Sequence, residues 1–110
     1  MKPRTVHHLA SHPPTEAEIT AWIGHKAVDE FGKAVGKIED VYRVGDKLEW
    51  LLVRHRRSHH FLAPVKNAVG GDGTVFLPYE HEVIESAPEV QPGSTADEAT
   101  LAAAAAHYKV

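Results

Sequence analysis

The chain has 110 residues, is 43% hydrophobic and 25% charged, and carries a formal net charge of -3. That is the size of one globular domain, with no overall attraction to nucleic acid or anionic lipid. The absence of cysteine excludes disulfides, thiolate metal sites and cysteine nucleophiles.

Residues 1–14 are polar, with His7 and His8 among them, and read as a tail. Two histidines on such a segment make a weak metal pair. The N-terminus has no apolar core of signal-peptide length. No apolar run approaches the roughly 18 residues that span a bilayer. A cytoplasmic protein without a membrane partner is the expectation. Thr15-Glu16-Ala17-Glu18 then has the spacing of a capping box and predicts a helix over Glu16–Trp22, closed by Gly24. Ile19, Trp22 and Ile23 share one side of it. So short a helix is unstable alone, so Trp22 and Ile23 are expected to dock on the main body.

Ala27–Asp29 reads as a first strand and Asp29–Gly32 as a turn. The run around Val35, Ile38, Val41 and Tyr42 also fits helical spacing. Its β-branched content and flanking glycines favour a strand. Alternation fails between Ile38 and Val41, which predicts a bulge near Glu39-Asp40, where Asp40 would bond local backbone amides. After a Gly45-Asp46 turn, Leu48–Val53 is apolar on both faces, Trp50 and Leu52 one way, Leu51 and Val53 the other. Such a strand needs cover on both sides, and the two flanking helices are the available covers. Arg54–His60 is a basic turn, and His60–Val65 a strand that Pro64 confines to an edge or bulge. Gly70–Gly73 is a tight turn before the strand Thr74–Pro78. Tyr79–Glu85 fits one helical turn or a short strand. Ala87–Gly93 reads as linker. Ser94 with Asp97, or Thr95 with Glu98, caps a helix over Ala96–Tyr108, anchored by Leu101 and Tyr108. The expected fold is mainly β: a small barrel of five or six short strands with a short N-terminal and a C-terminal helix. The divisions are a tail (1–14), a core (15–86), a linker (87–95) and a helix (96–108).

Trp22–Asp29 followed by Gly32-Lys33-Ala34-Val35-Gly36-Lys37-Ile38-Glu39-Asp40-Val41 resembles the opening of a PRC-barrel domain. Phe61-Leu62-Ala63-Pro64-Val65, Val75-Phe76-Leu77-Pro78-Tyr79 and Ser86-Ala87-Pro88 are similar to the family's later Phe-Val-Pro, Val-Pro-Tyr and Ala-Pro positions. The ending through His107-Tyr108 resembles small actinobacterial-type members, which often close on His-Tyr-Gly; Lys109 stands in place of that glycine. The resemblance covers roughly Ile19–Val110. It implies a PRC-type β-barrel serving as an adaptor or interaction module, without a shared catalytic mechanism.

The most unusual stretch is the hairpin Arg54–His60. Arg54, His55, Arg56, Arg57 and His59 are candidates for contact with an anionic partner such as RNA or an acidic protein face, because guanidinium forks onto phosphate and carboxylate. The competing reading is a solvated turn. His55, His59, His60, His81 and His107 show no closed metal spacing, even with Glu80, Glu82 and Glu85 near His81. Ser58 lacks an orienting acid. Neither catalytic residues nor a cofactor or metal is expected. A barrel this small buries a limited core. Homodimerisation is therefore expected, with Trp50, Leu52, Leu101 and Tyr108 as candidate interface residues.

Overall fold

The computed structural model describes residues 14–57, 59–91 and 97–110. His7, His8, Ser58, Ser94 and Thr95, all named above, lie outside them. The elements are α1 (Glu16–Ala21), β1 (Lys26–Val28), β2 (Ala34–Val44), β3 (Lys47–His55), β4 (His59–Pro64), β5 (Val69–Gly71), β6 (Thr74–Phe76), α2 (His81–Glu85) and α3 (Glu98–Tyr108).

Helix α1 begins with the expected capping box. Glu18 N–H donates to Thr15 Oγ1 at 3.2 Å, and Thr15 N–H donates to Glu18 Oε1 at 2.8 Å. Trp22 caps its C-terminus and is buried, as is Ile19. Ile23, expected to dock beside Trp22, is instead exposed. The helix is too short to aim both side chains inward. Trp22 rests on Gly70, where a Cβ would overlap the indole.

Strands β2, β3 and β4 form an antiparallel meander. The Gly45-Asp46 turn brings Val44 opposite Lys47. The register slips between Ile38 and Asp40, at the expected bulge, and the Asp40 carboxylate accepts the Val41 N–H at 2.8 Å. Gly36 lets β2 approach β3: a Cβ there would run into the Arg54 carbonyl and the Val53 side chain.

Beyond the meander, β1 pairs antiparallel with β2 and parallel with β6. Among the described residues the order β4-β3-β2-β1-β6-β5 is a six-stranded mixed sheet that does not close, mainly β with three short helices. The paired run Val69–Gly71 belongs to a strand, although its glycines read as turn; Asp72 and Gly73 alone make the bend, both at positive φ. Pro64 ends β4, a terminal strand of the sheet. Residues 87–91 of the expected linker pack on it: Phe61 bridges Glu89, and Val90 N–H donates to the His60 carbonyl at 2.9 Å.

The core runs along both faces of β3. Trp50, Leu51, Leu52 and Val53 are all buried, each full burial being worth roughly 1.5–3 kcal/mol for an aliphatic side chain. The cover is intramolecular. Tyr108 of α3 lies 6.3 Å from the Trp50 ring, and its hydroxyl donates to the Leu62 carbonyl at 2.6 Å. Burial pushes the Tyr108 phenol well up, and nearby Tyr79 adds to this. The Asp97 carboxylate caps α3 by accepting the Thr100 N–H at 2.8 Å. Lys109 closes α3 in the left-handed conformation, φ 61° and ψ 44°, which glycine adopts at least cost.

Candidate functional site

The hairpin tip places the five candidate residues together but answers three of them with acids. Arg54 Nε stands 2.9 Å from Glu39 Oε2, an ion pair not aligned as a hydrogen bond. His59 Nδ1 lies 3.4 Å from Glu89, and His55 Nε2 lies 3.3 Å from Glu85. His60, the buried neighbour of exposed His59, is 3.6 Å from Glu39. Arg56 and Arg57 are exposed at the turn and form no ion pair among the described residues. Arg56 holds φ at 62°. Of the three arginines at the tip, Arg54 alone is paired with an acid among the described residues.

The four interface candidates are placed otherwise than expected. Trp50, Leu52 and Tyr108 are buried within the chain, and Leu101 is half-buried against the same core. Because α3 folds back over its own sheet, the face that needed cover has it. A groove of ≈ 560 Å³ remains beside α3, lined mainly by Val44, Leu48, Trp50, Pro64, Leu101 and Val110.

A second polar cluster unites residues far apart in sequence. Asp29, at the end of β1, is buried, and its Oδ1 accepts the N–H groups of Phe31 at 2.8 Å and Lys33 at 2.9 Å. Its Oδ2 lies 3.2 Å from His81 Nδ1. Burial raises the Asp29 carboxyl, yet the two amides and His81 outweigh it and hold the group below the usual carboxylate range. On the other side of the ring, His81 Nε2 is 2.8 Å from Glu85 Oε2, one helical turn along α2. The same oxygen is 3.3 Å from His55 Nε2, and His55 Nδ1 is 2.8 Å from the Val35 carbonyl. Asp29, His81, Glu85 and His55 thus form one chain of contacts linking β1, α2 and β3. The i,i+4 spacing of His81 and Glu85 was its only sequence signal; Asp29 and His55 reach it through tertiary folding. As they stand, no group of three or more His, Asp or Glu side chains among the described residues could hold a metal ion.

The turn that Asp29 pins carries Phe31, a residue 86% exposed. Gly32 faces the Phe76 ring, itself 46% exposed. Val69, 42% exposed, is paired directly opposite Phe76 and so shares its face. Phe76 and Val69 thus stand on the side of the sheet away from Val75, and the turn that carries Phe31 runs beside them. Sequence reading passed over Phe31 as turn content, since exposure of a loop residue leaves no periodic trace.

No helix among the described residues is long and apolar enough to cross a membrane. No family model matches the sequence, and no curated protein matches it.

Proposed function

We propose that the chain is a non-enzymatic interaction module of the PRC-barrel type, its curled sheet a variant of that barrel, which pairs with a second copy of itself and binds another macromolecule. The observation that supports this reading most is the exposure of Phe31 beside Phe76 and Val69. Water-exposed aromatic surface held on a fixed turn costs solubility and supplies the kind of anchor that dominates protein contacts. Self-association then runs through this display, not through Trp50, Leu52 and Tyr108.

Sedimentation at micromolar concentration tests it, comparing the wild type with Phe31→Ser. A wild-type dimer that Phe31→Ser converts to monomer supports the reading. A wild-type monomer, or a dimer indifferent to Phe31, overturns self-association through this surface.

A second reading, an RNA- or ribosome-associated module, is favoured by one observation: the exposed Arg56 and Arg57 have no acidic partner among the described residues. RNA binding that weakens with salt and is lost in Arg56→Ala/Arg57→Ala would favour it. The tip lacks the stacking aromatics such sites ordinarily use.

A further inference from the structure

We propose that His55, His81 and Glu85 form an inducible site for one divalent cation of the zinc class, supported from outside by Asp29 and the Val35 carbonyl. The Nδ1 protons follow from what each of those nitrogens faces. His55 Nδ1 faces the Val35 carbonyl at 2.8 Å, and a carbonyl only accepts, so that nitrogen carries hydrogen. His81 Nδ1 faces the buried Asp29 carboxylate at 3.2 Å and donates likewise. In the neutral tautomers this fixes, both Nε2 atoms hold lone pairs. Both are directed at one oxygen, Glu85 Oε2, at 3.3 and 2.8 Å. With both rings neutral, three electron-rich atoms, one of them anionic, converge without a positive charge between them.

A cation resolves that convergence. Metal-bound histidines ordinarily anchor their second ring nitrogen on a carboxylate or backbone carbonyl, and here one ring has each. Two imidazole nitrogens and a carboxylate oxygen are a zinc-class donor set. Bonds of about 2.0–2.2 Å place donors on one ion about 3–3.5 Å apart. The His55–Glu85 separation already falls in that range, whereas the His81–Glu85 contact is slightly too short. That contact is one reason the site is collapsed rather than ready-made. Glu85 sits at the end of a one-turn helix with its side chain 33% exposed, so its carboxylate can retreat by the small amount required. The rings are about a quarter exposed, which gives an ion access and leaves water to complete the coordination. Nothing in this depends on the display of Phe31 or on the oligomeric state.

The same atoms are also satisfied if each ring takes a second proton, so ion and proton compete and affinity falls in acid. The test is calorimetric titration of the full chain with Zn²⁺, together with the absorption bands of Co²⁺. The proteins compared are the wild type, His55→Gln, His81→Gln, Glu85→Gln, and a His7→Ala/His8→Ala/His12→Ala control that removes the tail histidines. The expected result is one equivalent bound, a loss of about 10-fold or more in each single variant, and unchanged binding in the control. Zn²⁺ also raises the melting temperature of the wild type but not of Glu85→Gln, whose near-isosteric, partly exposed change keeps the fold. Absence of binding at micromolar Zn²⁺, binding kept by the three single variants, or binding lost only with the tail histidines overturns the proposal.

Discussion

Two polar regions meet at His55 and behave in opposite ways. The hairpin tip is dense in charge along the sequence, yet its side chains reach into water, and its arginine pair with Glu39 is 40% exposed on both sides. The cluster around Asp29 is sparse along the sequence, drawn from β1, β3 and α2, yet its central carboxylate is buried with both oxygens occupied. Exposed ion pairs gain little because water competes for both partners. A buried carboxylate must be answered, since leaving its neighbours unpaired costs their full desolvation. Charge density in a sequence is therefore a poor guide to where polar groups do structural work; burial decides.

That contrast can be broken most directly at Asp29. Asp29→Ala leaves the Phe31 and Lys33 amides and His81 without their acceptor, and should lower the melting temperature by about 5–10 °C, read by circular dichroism. Asp29→Asn tests the charge itself. A carboxyl held below its usual value stabilises the fold above its unfolded-state pKa of about 3.9, and that contribution is lost as pH falls through the lower folded-state value. The gap between wild type and Asp29→Asn should thus be widest near neutrality and close in strong acid. A constant gap would mean that the charge contributes nothing.

A second buried polar group carries the comparison to α3. Tyr108→Phe removes the donor to the Leu62 carbonyl and should cost about 1–2 kcal/mol in urea unfolding. Lys109→Gly acts in the other direction. Relieving the left-handed backbone should stabilise the chain by roughly 0.5–1 kcal/mol by the same measurement. At the tip, Arg56→Ala/Arg57→Ala should change stability by less than about 0.5 kcal/mol. A larger loss there would erase the distinction between the two regions.

The sequence disclosed what short-range physics controls. The Thr15–Glu18 box, the two-residue turn at Gly45-Asp46, and the bulge where alternation fails at Asp40 were all legible, because each depends on neighbours within four residues. The two-faced burial of β3 was legible from its composition, and so were the flanking helices as its available covers; that α3 folds back on its own sheet was not separable from packing on a twin's. Alanine-rich α3 offers little apolar surface, yet Ala104 and Tyr108 are buried and Leu101 packs beside them. β5 was hidden because two of its three residues are glycines and mark no face. The Asp29 cluster was hidden because its members are brought together by the parallel β1–β6 pair and by α2, neither of which leaves a local pattern. The basic tip misled in the opposite sense: its acids, Glu39, Glu85 and Glu89, lie elsewhere in the chain.

The parallel pairing of β1 with β6 has a kinetic consequence. The meander β2–β3–β4 closes through short loops and can assemble as soon as it leaves the ribosome. β1 gains one neighbour from it, but its other edge stays open until β6, nearly at the end of the sheet's sequence, has been made. Closing so long a loop is slow because its entropy must be lost before the contacts repay it. The last step of folding should therefore be the arrival of the β5–β6 hairpin, which also seats Trp22 on Gly70. Indole fluorescence after dilution from urea should report that docking later than the signal from Trp50 in the meander.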